Sequence, residues 1–431
     1  MFLFIVVFVS LFFTSAIGQS EPVVDSSYVA AVYEHNLILN PEPHVPLSRS
    51  AALQHMQKNL DVYEEQAARA AQQGAQILVF PEDGIHGFNY SRSSISGYLE
   101  TIPDPQQESW NPCTEPGRYN NTEVLQRLSC MAHRYNLYVV ANMADLQPCP
   151  LKTDPSSSCP PDGRWQFNTN VVFSSDGLLV ARYHKYNLYF EKAFDTPPQP
   201  EIITFETPFA GRFGLMICFD ILFHDPTIVL VEKGVRQLIY PTAWMNQLPL
   251  LDTIQFQRAF SLGANVTLLA ANIRSDRLIM TGSGIYTPFS ATYYHAQKGD
   301  PEEGRLLVAK YRRFPQGGSE ELYALGAFAG THTVNGRYAL QVCALVRCAG
   351  LDISSCGQEV EEAESKMDFT LEGKFGTRYV YPSVLASELV LEQPEHLETA
   401  ADDTVTMRHS NMTGGLLTAC LYGRMYHLDN E

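Results

Sequence analysis

Basic residues are scarce in this chain of 431 residues, which has 30 Lys and Arg against 47 Asp and Glu. The resulting net charge of −17 argues against binding to nucleic acid or anionic membranes, because both require a basic protein surface. After the first 20 residues, no apolar run is long enough to cross a bilayer. Residues 426–431 are polar, so we expect no lipid-anchor signal there.

Several common catalytic and ligand-binding motifs are also missing. The sequence contains no H-E-x-x-H, no paired C-x-x-C, no phosphate-binding loop and no G-x-S-x-G. Its 12 histidines show none of the spacings typical of metal ligands. We therefore expect neither a metal nor a cofactor, which leaves side-chain chemistry. The sequence gives no indication of oligomeric state.

The first residues resemble a secretory signal peptide. An apolar run from Phe2 to Val9 is extended by Leu11–Phe13, and small residues up to Gly18 resemble a cleavage site. The alternative is a membrane anchor, for which this run is short. We predict a signal peptide over residues 1–18 and a secreted mature protein.

Nine cysteines fit an oxidising compartment, in which most of them should pair. Without Cys218, eight cysteines remain, which is an even number. Cys149 and Cys159 flank a loop rich in Pro and Ser and are the predicted pair. The remaining connectivity does not follow from the sequence.

Four N-x-S/T sequons are candidates for N-glycosylation, at Asn89, Asn120, Asn265 and Asn411. Asn265 begins an apolar stretch that is typical of a strand. This pattern favours burial of Asn265 and an unused sequon.

Apolar runs that alternate with amphipathic stretches indicate an α/β layer fold. Residues 48–74 predict a helix, with apolar side chains three and four positions apart. Further helices are predicted at 226–233 and 250–262, and a hairpin turn at 174–177 indicates a mixed sheet. Strands are predicted at 75–80, 137–143, 170–173, 178–183, 214–217, 235–240 and 266–272.

The chain changes character after about residue 314. Helix signals fade, and alternating patterns at 338–346 and 369–381 are typical of strands. We therefore predict two domains after the signal peptide: a catalytic domain over 19–316 and a smaller β-rich domain over 317–431.

Three chemically capable side chains each follow a predicted strand: Glu82, Lys185 and Cys218. Ligands of α/β sheets gather beyond the carboxyl ends of strands, so these side chains are expected to share one pocket. Each residue taken singly has a plainer interpretation. Cys218 would be a buried structural thiol, Glu82 a solvated loop residue and Lys185 a surface charge.

Together the three residues suit the hydrolysis of an amide. A thiolate attacks the carbonyl, and a carboxylate takes the thiol proton, passes it to the leaving amine and then activates water. An ammonium, with the backbone N–H of Phe219, stabilises the oxyanion. We also expect the nearby cation to lower the pKa of the Cys218 thiol.

The segments around these residues resemble the three catalytic motifs of the nitrilase superfamily of carbon–nitrogen hydrolases. They read Phe-Pro-Glu-Asp-Gly (80–84), His-Lys-Tyr-Asn-Leu-Tyr (184–189) and Ile-Cys-Phe-Asp-Ile-Leu-Phe (217–223). Stretches 28–35, 241–246 and 280–285 resemble the secreted biotinidase/pantetheinase (vanin) branch. Stretches 84–89, 187–191, 246–251 and 343–348 are more similar to the members of that branch that cleave biotin amides.

This resemblance implies a fold, a reaction and roles for the three residues. The fold would be an αββα sandwich with a C-terminal accessory domain. Glu82 would be the general base, Lys185 the oxyanion stabiliser and Cys218 the nucleophile. The substrate would be biocytin or a biotinyl-peptide, cleaved to biotin and lysine through a biotinyl-thioester, with pantetheine as the alternative.

Two further assignments leave an alternative open. Glu191 matches a second glutamate found in many superfamily members, but an ordinary loop glutamate fits nearly as well. Trp244 and Met245 are expected to line the acyl pocket, although core packing accounts for them equally well.

The chain departs from the family pattern where the accessory domain begins. Gln316 runs almost directly into Glu321, whereas family members carry a long stretch at this point. We expect a shortened accessory domain and leave the pairing of its cysteines open. A secreted binding protein with impaired catalysis is therefore a second functional hypothesis.

Overall fold

The computed structural model describes residues 28–149, 159–288, 290–307, 321–333, 336–350 and 355–429. The predicted signal peptide over 1–18 and the predicted domain boundary at 316/317 lie outside these ranges. Among the described residues, no helix has the length and apolar character needed to cross a bilayer.

The first part of the described chain, up to residue 307, combines strands with four α-helices. The helices are α1 Arg49–Gln72, α2 Glu123–Tyr135, α3 Val229–Glu232 and α4 Thr253–Ala264. The strands are β1 Ala30–Asn36, β2 Ile77–Val79, β3 Tyr138–Pro148, β4 Arg164–Phe173, β5 Leu179–His184, β6 Thr204–Thr207, β7 Gly211–Leu215, β8 Gln237–Pro241, β9 Thr267–Ala271, β10 Ile273–Arg274, β11 Ser283–Tyr286, β12 Ala291–Tyr294 and β13 Arg305–Leu306.

These strands form two mixed sheets that pack face to face. One sheet has the order β10-β1-β2-β3-β4-β5, with β13 beside β1, and the other has the order β12-β11-β9-β8-β7-β6. Side chains such as Val79 and Ile239 fill the space between the sheets. Leu78 points the other way, toward α1 and α2. α4 covers the outer face of the second sheet, so the predicted αββα sandwich is confirmed.

Local sequence determines where the first helix begins and ends. The Ser48 hydroxyl accepts a hydrogen bond from the Ala51 N–H at 3.3 Å, which caps α1. Gly74 follows the helix with φ +78°, a conformation that glycine adopts without strain. The predicted hairpin is also confirmed, since residues 174–177 join the antiparallel strands β4 and β5.

The prediction for Asn265 is wrong. This residue does not begin a strand but ends α4 in the left-handed conformation at φ +53°, and its side chain is exposed. Asparagine tolerates this conformation, so it competes well with glycine as a helix terminator. Strand β9 begins only at Thr267.

The second part of the described chain is built of strands, as predicted. They are β14 Tyr323–His332, β15 Tyr338–Arg347, β16 Phe369–Lys374, β17 Val380–Ala386, β18 Val390–Glu392, β19 His396–Thr399, β20 Thr404–His409 and β21 Leu416–Arg424. A sheet of order β14-β15-β21-β17-β18 packs on α4, where Tyr381 meets Phe256 and Phe260. A smaller sheet has the order β16-β20-β19. The pattern at 369–381 therefore corresponds to two strands in different sheets.

Three disulfides are formed, and the predicted pair Cys149–Cys159 is one of them. The others are Cys113–Cys130 and Cys348–Cys356. Cys218, Cys343 and Cys420 remain as thiols, so six of the eight other cysteines pair and the expectation that most of them do is met. Cys343 lies opposite Leu421 and Cys420 opposite Ala344. Because successive residues of a strand point to opposite faces, the two thiols lie on different sides of the sheet.

Arg424 connects the two parts of the chain. Its side chain is fully buried, and Nε donates to the Leu222 carbonyl at 2.8 Å, in the segment that follows Cys218. Nη2 donates to Asp429 Oδ2 at 2.6 Å, and the guanidinium lies over the rings of Tyr338 and Tyr426. A buried charge is tolerated only with such partners.

We expect Arg424→Met to lower the free energy of unfolding by about 3 kcal/mol, because the half-buried Asp429 carboxylate loses its charged partner and the Leu222 carbonyl loses its donor. Guanidinium denaturation followed by circular dichroism measures the change. Arg408→Met is the matched control, since Arg408 is exposed on β20 and should change stability by no more than about 0.5 kcal/mol. Equal midpoints for the two variants would contradict the assigned role of Arg424.

Candidate active site

The structure brings Glu82, Lys185 and Cys218 to one cavity of about 210 Å³. Each follows the end of a strand: Glu82 follows β2, Lys185 directly follows β5, and Cys218 follows β7. Two larger cavities, of about 370 and 650 Å³, are lined by none of the three residues. Chemistry rather than size therefore identifies the candidate active site.

Lys185 is held between two carboxylates. Its Nζ donates to Glu82 Oε1 at 2.6 Å and to Glu191 Oε1, and the side chain is only 1% exposed. Burial alone would lower the pKa of Lys185, but the charges of Glu191 and Glu82 raise it well above its usual value. Lys185 is therefore a cation at neutral pH.

Asn168 donates hydrogen bonds to the carboxylates of both Glu82 and Glu191. Its amide nitrogen donates to Glu82 Oε1 and to Glu191 Oε2, each at 2.8 Å. The second oxygen of Glu82 accepts from the Ala243 N–H at 2.9 Å. Glu82 is thus oriented by three donors, with one oxygen shared between Lys185 and Asn168.

Glu191 contacts the same cluster from the loop after β5. Its side chain is 13% exposed and contacts the Lys185 ammonium and the Asn168 amide. Burial and the nearby charge of Glu82 raise the pKa of Glu191, and Lys185 opposes the rise. The Tyr189 N–H donates to the same carboxylate at 3.1 Å, which fixes the loop after β5.

A buried histidine anchors the strand end that carries Lys185. His184 contacts Asp145 Oδ2 through Nε2 at 2.8 Å and Glu201 Oε1 through Nδ1 at 2.9 Å. Burial would lower the pKa of His184, but the hydrogen bonds to Asp145 and Glu201 raise it. Both ring nitrogens are occupied, so the backbone before Lys185 has a defined position.

Cys218 occupies a strained backbone position. Its φ is +45°, in the left-handed region that residues with a side chain rarely adopt, and it begins the 3₁₀ segment Cys218–Leu222. The Tyr240 hydroxyl donates to the Cys218 carbonyl at 2.9 Å, and Asp220 accepts from the Ile217 N–H at 3.0 Å. Strain of this kind is concentrated at functional sites.

Asp220 ties the cysteine segment to the lysine loop. One of its oxygens accepts from the Tyr183 hydroxyl at 2.8 Å, and the other from the Asn187 N–H at 2.9 Å and the Asn187 side chain at 2.8 Å. Burial raises the pKa of Asp220 to about 6. The network links the positions of Cys218 and Lys185.

The expected lowering of the thiol pKa is not observed. Burial and the charge of Glu82 raise the pKa of Cys218 well above its usual value. Lys185, the Thr242 hydroxyl and the Ala243 N–H oppose the rise but do not outweigh it. The thiol is therefore protonated at neutral pH and needs a base at the moment of attack.

Two chambers meet at Cys218. The first, here called the polar chamber, is the cavity of about 210 Å³ and is lined by Glu82, Asp83, Lys185, Phe190, Glu191 and Phe194, among others. The second, called the apolar chamber because no charged side chain among the described residues lines it, measures about 170 Å³. It is lined by Phe219, Leu222, Trp244, Gln247, Leu251, His332 and Tyr338, and shares Tyr189, Ala243 and Met245, besides Cys218, with the polar chamber. Trp244 and Met245 thus line the cavity next to the thiol, and Trp244 also packs on Phe256.

The four sequons are all exposed in the structure. Asn89 lies at the polar chamber and has a φ of +68°. Asn120 and Asn411 lie in exposed segments away from the chambers' lining residues, and Asn265 ends α4.

Sequence reasoning missed Asn168, Asp220 and Asp83. All three are buried, and Asp83 Oδ1 has no hydrogen-bond partner among the described residues. Each interrupts or borders an apolar segment, which is the one signal that would have indicated them. A buried polar side chain needs partners, so its presence in such a segment points to a network.

Comparison with known proteins identifies two family models along the chain. The carbon–nitrogen hydrolase model matches residues 46–287, and the vanin C-terminal domain model matches residues 308–429. The first contains Glu82, Lys185 and Cys218. The second covers the sheet that packs on α4.

Full-length relatives agree with these matches. A biotinidase of Takifugu rubripes is 67% identical, covering 94% of this chain and 96% of that protein. A pantetheinase of Bos taurus is 42% identical, covering 94% of this chain and 90% of that protein. The alignment with the Takifugu protein spans 483 positions, more than the 431 residues here, so that relative contains residues with no counterpart in this chain.

Among solved structures, an amidase from Nesterenkonia sp. aligns with a TM-score of 0.44 and 23% identity, over 67% of this chain and 92% of that chain. The family itself is established by the two family models and by the full-length relatives. This chain belongs to the biotinidase/vanin family of carbon–nitrogen hydrolases.

Proposed function

We propose that this protein is a secreted, thiol-dependent amidohydrolase that cleaves biotin amides such as biocytin and biotinyl-peptides to biotin and lysine. The observation that carries the proposal is the convergence of Glu82, Lys185 and Cys218 on one cavity. The substrate class is supported by 67% identity to a protein named biotinidase.

Acylation begins at the neutral thiol. Glu82 takes the Sγ proton as the sulfur attacks the amide carbonyl, and a tetrahedral intermediate forms. Glu82 then gives this proton to the leaving nitrogen, the C–N bond breaks, and the amine departs. The acyl group remains on Cys218 as a thioester.

Deacylation reverses the roles with water in place of the amine. Glu82 takes a proton from water, whose oxygen attacks the thioester carbonyl. The C–S bond breaks, the acid is released, and the proton returns to the sulfur. One carboxylate thus serves as base and acid in both halves of the reaction.

The oxyanion of each tetrahedral intermediate needs preorganised positive charge. The Lys185 ammonium is buried beside Glu82 and supplies it at no cost of reorganisation, with the Phe219 N–H as the second donor. We assign Glu191 a positioning role, because it contacts Lys185 and shares Asn168 with Glu82.

A second candidate is pantetheine hydrolysis, which the 42% identity to a pantetheinase supports. The same residues would act on the same kind of bond, with a different acyl group. A binding protein with impaired catalysis is the third hypothesis. It is motivated by the expected shortening of the accessory domain, which agrees with an alignment to the Takifugu relative that is longer than this chain. The complete cluster around Lys185 argues against it.

We further propose a signal peptide over 1–18, a catalytic domain over 19–316 and an accessory domain over 317–431. Secretion is supported by three disulfides, which form in oxidising compartments. Glycosylation of Asn89, Asn120, Asn265 and Asn411 is supported by their exposure.

Substitutions in the cluster should remove amide hydrolysis. We expect Cys218→Ser to reduce biocytin turnover to background, Glu82→Gln to lower kcat about 10²- to 10⁴-fold, and Lys185→Met to lower it about 10²- to 10³-fold. Release of biotin from biocytin and of cysteamine from pantetheine is measured for each protein.

Glu65→Gln and Lys58→Met are the matched controls, because both side chains are exposed on α1. They should retain wild-type rates. If wild type and Cys218→Ser hydrolyse both substrates at the same background rate, the proposed enzymatic activity is refuted. If wild type prefers pantetheine to biocytin, pantetheine and not a biotin amide is the substrate.

The pH dependence of thiol alkylation gives a separate prediction. The charge of Glu82 raises the pKa of Cys218, so Glu82→Gln should lower it and shift the rate profile for iodoacetamide to lower pH. At pH 7 the variant should be alkylated faster than wild type, although its hydrolysis is slower. A profile that stays in place or moves to higher pH contradicts the electrostatic account.

A further inference from the structure

We infer that the apolar chamber binds the acyl group of the substrate and that its outer wall, formed by His332 and Tyr338 of the accessory domain, determines which acyl groups are accepted. This inference rests on the proposed thioester chemistry at Cys218. It assigns the accessory domain a part in substrate selection.

The two sides of an amide leave the carbonyl carbon in opposite directions and therefore need two spaces. Cys218 borders both chambers, so a carbonyl bound at its sulfur can extend one side into each. Glu82 must reach the leaving nitrogen to protonate it, and Glu82 lines the polar chamber only. The amine side thus belongs in the polar chamber and the acyl side in the apolar chamber.

The lining of the apolar chamber suits a neutral acyl chain. The described residues around it include no Asp, Glu, Lys or Arg, and the rings of Phe219, Trp244 and Tyr338 are among the groups that line it. The polar side chains of Gln247 and His332 offer hydrogen bonds at its margin. An uncharged aliphatic chain ending in a hydrogen-bonding head, such as a cyclic urea, matches both features.

Tyr338 is held rigidly in this wall. It is 3% exposed, and its ring lies 4.6 Å from the His332 ring and 6.0 Å from the Phe223 ring, measured between centroids. Arg424 lies over the same ring at 4.9 Å. A rigid wall discriminates between acyl groups by shape.

The hairpin formed by β14 and β15 of the accessory domain lies close to the segment that follows Cys218. A Cβ placed on Gly336, whose φ is +129°, would lie 3.3 Å from Phe223 and 3.8 Å from Phe219. Glycine therefore permits this approach. The distance between the nucleophile segment and the accessory wall is thus fixed by packing.

Gln247→Trp tests the assignment, because Gln247 is exposed at the chamber and its replacement fills space without disturbing the core. We expect kcat/KM for a biotinyl 4-nitrophenyl ester to fall about tenfold or more, and kcat/KM for the acetyl ester to stay within about twofold. His332→Ala should change KM for the biotinyl ester and leave KM for the acetyl ester unchanged. Gln106→Trp, exposed and lining neither chamber, is the matched control.

The outcomes separate this inference from the proposed function. An active wild type whose biotinyl and acetyl rates respond equally to Gln247→Trp, or not at all, overturns the acyl assignment and leaves the thioester mechanism standing. A wild type that equals Cys218→Ser with both esters overturns the mechanism and the inference with it. Iodoacetamide labelling of Cys218 in each variant verifies that the nucleophile segment is folded.

Discussion

A buried ammonium between two carboxylates is the interaction on which the site depends. Lys185, Glu82 and Glu191 are charged groups removed from water, so each is tolerated only while its partners stay in place. Asp83 adjoins this cluster, and burial with the charges of Glu82 and Glu191 raises its pKa well above the usual value. This rise favours the neutral form of Asp83, which limits the excess of negative charge.

The fold supplies this cluster from separate strand ends. Hydrogen bonds from Asn168 to both carboxylates, and from Asn187 and Tyr183 to Asp220, join the ends of different strands into one unit. The accessory domain reaches the same unit through Arg424, which binds the carbonyl of Leu222. Catalytic geometry and the packing of the two domains are thus physically connected.

Much of the site follows from the sequence because strand ends are local features. Glu82, Lys185 and Cys218 each follow a predicted strand, and the two packed sheets then bring them together. Asp220 and Asn168 depend on pairing between distant segments, which local patterns do not contain. The sign of the thiol pKa shift depends on the sum of burial, Glu82 and Lys185, which also requires the folded arrangement.

Errors in the sequence reasoning have equally definite causes. Asn265 precedes an apolar strand, but its tolerance of the left-handed conformation makes it the end of α4. Cysteine parity suggested further disulfides, but the register of β15 and β21 places Cys343 and Cys420 on opposite faces.

The most direct test of the account is mass spectrometry of protein quenched during turnover of a biotinyl ester. A hydroxylamine-labile biotinyl group on Cys218 is the predicted result, and continued turnover with no adduct there, or with one on another residue, would contradict it.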